Sequence, residues 1–375
     1  VTGKTIESRI GVITVNHGST RDTVELLESL AAEESGRRAV VCVVDNGSSA
    51  AEERALREHL LETLARRGGF EIFPEALAPS NRFRREELAR AAGEFEGSGK
   101  RFLVVYVALP ENVGFAAASN LGYRLIGPFT SHLLIVNNDM VVERRFLDPL
   151  LEALAADERA VGATGKIYRF DPPDVIWYAG GRWSWEERFR PRHLREGERE
   201  TSASPAVEPP RETAFASGAL ILLETSFADR HGLFCEGFFF GEEDAELCHR
   251  VREAGRRMLY VPQAVARHKV GASREGVPAV RMRGLQVRRK YLMLALTSPW
   301  FVFVPWLVAY TPVRIVRELA LVVRGRSSLR DLGRMLACQG SAIRYALRMR
   351  WSRSYRASQF EHRSRALLGG PGGGE

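Results

Sequence analysis

Ile10-Gly11-Val12-Ile13-Thr14-Val15-Asn16 decides the class of this chain. The run is rich in β-branched residues and has no polar alternation. It reads as a strand buried on both faces, the habit of a parallel sheet. His17-Gly18-Ser19 turns the chain, and Ser19 or Thr20 can cap a helix carrying Val24, Leu27 and Leu30 at helical spacing. Ala39 to Val44 repeats the strand pattern, ends in Asp45-Asn46-Gly47-Ser48-Ser49, and leads into a helix from about Ala51 to Arg66. Strand, helix, strand, helix in this rhythm predicts an α/β fold with a mostly parallel central sheet.

The rhythm breaks over residues 68–100, where Pro74, Pro79, Gly93, Gly97 and Gly99 suggest an insertion on the sheet rim around a charged helical piece from Arg84 to Ala92. It resumes with the strand Leu103 to Leu109, the loop Pro110 to Phe115, the small-residue helix Ala116 to Ile126, and the strand Leu133 to Val136, which runs into Asn137-Asn138-Asp139. A helix from Phe146 to Ala156 and strands at Val161–Tyr168 and Val175–Tyr178 follow. Residues 186–211 are polar and charged and read as a long flexible loop. Ala216-Ser217-Gly218-Ala219 then opens an apolar strand ending at Leu223. A short helix from Glu242 to about Ala254 begins with Glu242, Glu243, Asp244 and Glu246, acids that suit the positive end of a helix dipole. Strands at Met258–Val261 and Ala264–His268 close the segment.

The chain has 375 residues, a hydrophobic share of 45% and a formal charge of +8, with pI near 9.6. That core suffices for a large domain with an extension, and the charge suits nucleotides, phosphorylated substrates or anionic lipid. Cys42, Cys235, Cys248 and Cys338 lack metal-type spacing and read as reduced thiols in a cytosolic setting. Val1 to Arg9 has no apolar core of a secretion signal. There is no GxGxxG, no GxxxxGK[ST] and no GxSxG, so phosphates would be held by a metal and basic groups rather than by a glycine loop. No nucleic-acid recognition motif accompanies the charge, and nucleic acid is not an expected partner.

In open α/β sheets ligands bind beyond the carboxyl ends of the strands. Asn16 and His17, Asp45 and Asn46, and Asn137 to Asp139 all fall at such ends. An Asp there can take a ribose hydroxyl or a divalent ion bridging phosphates, although Asp45-Asn46-Gly47-Ser48 is also a good turn. Two adjacent carboxylates, Glu243 and Asp244, can share a proton or act as a general base. Lys166 could touch phosphate, and Trp177, Trp183 and Trp185 could stack on a sugar or pack in the core.

In order and spacing, Val44-Asp45-Asn46-Gly47-Ser48, Asn112-Val113-Gly114-Phe115 with Asn120 and Gly122, Asn137-Asn138-Asp139, Ala216-Ser217-Gly218-Ala219, Glu243-Asp244-Ala245-Glu246-Leu247 and His268 resemble glycosyltransferase family 2. The likeness covers roughly residues 8 to 275 and is nearest to the bacterial rhamnosyltransferase-like members that build cell-surface glycans. It implies a GT-A fold, an inverting sugar transfer and a Mg²⁺ or Mn²⁺ cofactor. The implied partners are a dTDP- or UDP-linked sugar donor and a glycan or lipid-linked acceptor. Asp45 would hold the nucleoside, helped by the Asn112–Phe115 loop, with Asn16, His17, Asn120, Asn138 and Lys166 as further donor contacts. Asp139 and His268 would be metal or diphosphate ligands. Ser217, Gly218 and Glu243 would meet the acceptor, and Asp244 would be the base. The chain departs from the family's DxD motif in carrying Asn137 at its first acidic position, which lowers the charge of the metal site. That departure leaves open a catalytically silent, nucleotide-sugar-binding scaffold of a glycan assembly complex.

Residues 1–284 are thus expected as a GT-A domain, 285–368 as a helical extension and 369–375 as a disordered tail. Leu292 to Val313 lacks charge, but Pro299, Pro305 and Pro312 favour a broken or interfacial segment over one straight span. Trp300, Trp306 and the flanking Arg residues suit an anionic membrane surface, so the expected location is cytoplasmic, peripheral at the inner face of the cell membrane. Packing on the catalytic core or homodimer formation is the other use for such a tail.

Overall fold

The computed structural model describes residues 9–65, 69–73, 85–183, 191–200, 208–270, 279–352 and 359–360. Strand β1 (Ile10–Asn16) leads to α1 (Thr20–Ala32), which turns Thr23, Leu26, Leu27 and Leu30 inward. Every residue of β2 (Ala39–Asn46) is buried. Helix α2 (Ala50–Glu58) starts at Ser49, whose hydroxyl accepts from the Glu52 N–H, and passes into a π-helical turn at His59–Leu64. Next come β3 (Phe70–Ile72), α3 (Arg85–Gly97), β4 (Phe102–Leu109) and α4 (Phe115–Ile126). They are followed by β5 (His132–Val136), β6 (Met140–Val142), α5 (Leu147–Ala156), β7 (Ala160–Arg169) and β8 (Ile176–Tyr178). A small hairpin pairs β9 (Gly181–Trp183) with β10 (Pro191–His193). Then come β11 (Arg211–Glu212), β12 (Leu220–Glu224), α6 (Thr225–His231), α7 (Glu243–Glu253) and β13 (Arg257–His268). Three helices finish the described chain: α8 (Ala279–Thr297), α9 (Trp300–Val323) and α10 (Leu329–Trp351).

Nine strands run in the order β11-β13-β7-β12-β5-β1-β2-β4-β3, with β6 added beside β13 and β8 beside β7. From β5 to β3 all pairings are parallel, with β1 at the point where the strand order reverses. Such a switch point opens a crevice at the strands' carboxyl ends. Strand β12 runs against both β5 and β7, so its first residues lie on that same rim: Leu220 faces Val136, and the Asn137 N–H donates to Ala219 O at 3.0 Å. Antiparallel pairing of β6 with β13 puts His268 opposite Met140, one residue past Asp139.

Part of the expected insertion at 68–100 belongs to the sheet. β3 is its edge strand, parallel to β4, and α3 buries Leu88, Ala92 and Phe95. Three residues are too few to show a period, which is why this strand is silent in the sequence. The expected loop at 186–211 likewise contributes β10 and the start of β11, and its remainder lies partly outside the described residues, as do Trp185 and the 369–375 tail.

Residues on both sides of position 284 share one core, since Leu292 and Met293 of α8 and Met349 of α10 pack into the main hydrophobic cluster. Tyr291, Phe303, Met335 and Ala346 form a second cluster among the last three helices. The helix breaks at Ser298–Pro299, but Pro305 and Pro312 sit inside α9 without ending it, both on its exposed side. Among the described residues no helix is long and apolar enough to cross a membrane.

Candidate active site

The polar ends of β1, β2 and β5 meet, as their parallel alignment requires, and bond first to one another. Asn16 Oδ1 accepts from Thr23 Oγ1 at 3.0 Å and Asn138 Nδ2 at 3.2 Å, while Asn16 Nδ2 donates to Ser48 Oγ at 3.2 Å. Asp45, only 1% exposed, accepts from the Ser48 N–H and from the Tyr106 hydroxyl, both at 3.1 Å. Asn46 holds the next loop, donating to Asn112 Oδ1 and accepting from the Val113 N–H. His17 is exposed and donates through Nδ1 to Asn46 O at 3.0 Å. Gly114 then has φ +92°, and a Cβ there would lie 2.5 Å from Phe239 O. Only glycine allows that approach. It lets the Phe115 N–H reach Phe239 O at 2.8 Å, which ties the start of α4 to the turn before α7.

Beside this rim lies a cleft of about 530 Å³. Asn137, Asp139 and His268, Ser217 and Gly218, and Phe115 with the Phe240–Asp244 turn all line it. His268 Nε2 and Asp139 Oδ1 are 3.1 Å apart, and the edge-on Trp177 ring, 4.3 Å away between centroids, fixes the imidazole plane. His268 Nδ1 is buried without a hydrogen-bond partner. One carboxylate, one imidazole and the Asn137 amide form a donor set that suits Mn²⁺, with the proton between Asp139 and His268 the one a cation would displace. Among the described residues no cluster of three or more His, Cys, Asp or Glu could hold an ion unaided. The fit therefore needs oxygen ligands from a diphosphate or water to complete the shell.

The carboxylate pair lines the same cleft. Asp244 Oδ2 accepts from the Gly218 N–H at 2.7 Å, and its Oδ1 accepts from the Ala245 N–H at 2.8 Å. The reversed strand β12 presents the first donor and the start of α7 the second. Glu243 is 4% exposed, and its Oε2 is buried with no partner. Burial first, and the Asp244 charge second, push the Glu243 carboxyl up to about 8. Burial also raises Asp244, opposed by the Gly218 and Ala245 N–H groups. These donors favour the ionised form of Asp244, whereas Glu243, raised to about 8, keeps its proton near neutral pH.

The profile of the family described as "Glycosyltransferase like family 2" matches residues 8–285. The chain belongs to that family. No curated protein matches the sequence. Solved structures similar to it include GalNAc-T7 with UDP, GalNAc and Mn²⁺, at TM-score 0.48 and 16% identity over 77% of this chain and 48% of that one. Another is the mannosyltransferase PcManGT from Pyrobaculum calidifontis in complex with GDP-Man and Mn²⁺, at TM-score 0.47 and 15% identity over 97% of this chain and 86% of that one. The chain thus spans about half the length of the GalNAc-T7 chain. The matched family and the observed sheet place the chain in glycosyltransferase family 2 with a GT-A fold.

Not every expected site residue of this family-2 member reaches the cleft. Asn137, Asp139, Ser217, Gly218, Glu243, Asp244, His268 and Phe115 do. Asp45, Asn16 and Asn138 stand behind the rim in the network above. Lys166 lies mid-strand in β7, 2% exposed, with Nζ bonded to Glu200 at 3.0 and 3.1 Å, so it anchors the 191–200 segment instead of a phosphate. Asn120 is buried in α4 and donates to Phe234 O and Glu236 Oε1, which makes it a packing residue. Sequence reading missed Arg169, His193, Phe215 and Arg289, all on the cleft wall. Arg289 gave no signal because Arg288-Arg289-Lys290 reads as one basic run.

Proposed function

We propose that this glycosyltransferase moves a single sugar, with inversion, from a nucleotide diphosphate to a hydroxyl of a glycan or lipid-linked acceptor. The observation that carries this reading is the convergence of Asp139, His268 and the Glu243–Asp244 pair on one cleft. Asp244, aimed by two N–H donors, takes the proton of the acceptor hydroxyl as that oxygen attacks the anomeric carbon. Neutral Glu243 donates a hydrogen bond to the acceptor beside it. A Mg²⁺ or Mn²⁺ ion held by Asp139, His268 and the donor's phosphates would neutralise charge on the departing diphosphate. The assigned donor is dTDP-rhamnose, with a UDP-sugar next, and the product belongs to cell-surface polysaccharide synthesis.

The same reading puts the enzyme on the cytoplasmic face of a membrane. Phe301, Val308, Val316, Leu319 and Val323 of α9 are exposed and lie, with Pro305 and Pro312, on one stripe of the helix. Arg324 and Arg326 follow the stripe. An apolar stripe beside basic groups suits the interface of an anionic bilayer.

The test is Asp244→Asn. Transfer should fall by roughly 10²–10⁴-fold, the usual worth of a general base. Donor binding, followed by thermal shift against dTDP-, UDP- and GDP-sugars with and without Mn²⁺, should persist. Retained turnover would refute the assignment of the base.

A further inference from the structure

We propose that Arg289, carried to the cleft by helix α8, is a positioning residue: it clamps the turn that bears Glu243 and Asp244 and holds a fixed positive charge in the cleft those two carboxyls line. The inference rests on the proposed role of that pair and extends it beyond residue 285, where the family match ends.

Three observations carry it. Arg289 lines the cleft, and its Nη1 donates to Phe240 O at 3.2 Å. Gly241 has φ +83°, and a Cβ there would lie 2.1 Å from Nη1, so the guanidinium is seated flush on the glycine. The next residue, Glu242, also has positive φ, 73°. Two successive left-handed residues make a turn that needs outside support, since a non-glycine there costs about 1 kcal/mol or more. Second, α8 is no free arm, because its Leu292 and Met293 are fixed in the main core. Third, Arg289 shares the cleft with both carboxyls, and its charge draws them down against burial.

Arg169 lines the same cleft, but Arg289 is the cation among the largest influences on both carboxyls. Glu242 precedes the pair on its own turn, while Asp139, His268, His193, Glu196 and Arg169 face it from other walls of the cleft. Asp139 and His268 already engage each other, and His193 gives Nδ1–H to Trp177 O. In a site of low dielectric one fixed cation decides whether two adjacent carboxyls hold one proton or two. With two held, no base remains for the acceptor hydroxyl. The neighbouring Arg288 points elsewhere, stacked 4.7 Å above the Tyr345 ring.

The experiment is a ¹³C NMR titration of the side-chain carboxyls, with the pair assigned through Glu243→Gln and Asp244→Asn. Arg289→Gln should move the titration upward by about one pH unit, the lower end of what a close opposite charge is worth. Arg289→Lys, which keeps the charge, should move it less, and Arg288→Gln should leave it in place. The acidic limb of kcat/KM should follow the same order. No movement in Arg289→Gln, or equal movement in Arg288→Gln, would overturn the proposal. If Arg289→Gln fails to fold, Arg289→Lys decides: a titration near wild type supports the role, and a full upward shift removes it. The titration needs no sugar, so a protein inert toward every donor would sink the transfer reading while this result still stood or fell alone.

Discussion

Replacing Glu243 by Gln should stabilise the protein, and increasingly so as the pH rises. Glu243 holds its proton more tightly folded than unfolded, near 8 against an ordinary 4.5. A group shifted in this direction contributes stability that is fully present below about pH 4.5 and is lost as the pH climbs through about 8. At pH 7 the accumulated loss is on the order of 3 kcal/mol, taking about 1.4 kcal/mol for each pH unit above the unfolded value. The near-complete burial of the side chain means that solvent does little to reduce it. Gln cannot ionise and leaves the same unpartnered position filled with a similar volume. Melting curves of the two proteins should coincide near pH 5 and separate above it, with the variant higher by about 5 °C at pH 7 for a chain of this size. Above about pH 8 the gap should stop growing. A constant difference across the range, or a variant less stable than wild type at pH 8, would refute the account of a neutral, strained acid beside Asp244.

The other expectations are simpler. Chelation by EDTA should suppress transfer and Mn²⁺ should restore it, and His268→Ala should raise the Mn²⁺ needed; activity indifferent to EDTA would remove the metal from the reading. Gly114→Ala should cost about 1–3 kcal/mol, because a side chain is forced to positive φ and against Phe239 O; chemical denaturation measures it, and an unchanged midpoint would count against the clamp between α4 and the turn before α7. The triple change Phe301→Ser, Val308→Ser and Val316→Ser should weaken co-sedimentation with anionic liposomes while donor-induced thermal shifts persist. Point changes are the suitable test because a chain cut near Gly284 would lose Leu292 and Met293 from the main core. Equal sedimentation of variant and wild type would leave α9 without its proposed surface.

The central strands were legible because burial on both faces selects β-branched runs, as in Ile10–Asn16 and Ala39–Asn46, both almost wholly buried. The carboxylate turn was legible because acids gather where a helix dipole favours them, before Leu247 and Val251. What escaped depended on partners far away in sequence. Lys166 looked free to touch a phosphate, but β7 turns it toward Glu200, 34 residues on. Asn120 sits among small residues that could face a ligand, and only the fold shows Phe234 and Glu236 across from it. Arg289 and Arg288 are alike in type and neighbourhood, and the phase of α8 alone separates a cleft residue from one that covers a tyrosine.

The reversed strand β12 has a consequence for how this molecule could diversify. Its seam with β5 fixes five residue pairs, from Leu220 against Val136 to Glu224 against His132. Adjacent strands keep a spacing of about 4.8 Å whatever their side chains. The end of β5 that leads to Asp139 and the chain just before β12 that carries Gly218 are therefore held in fixed register by backbone geometry. Changes in a segment such as 191–200 leave that register untouched.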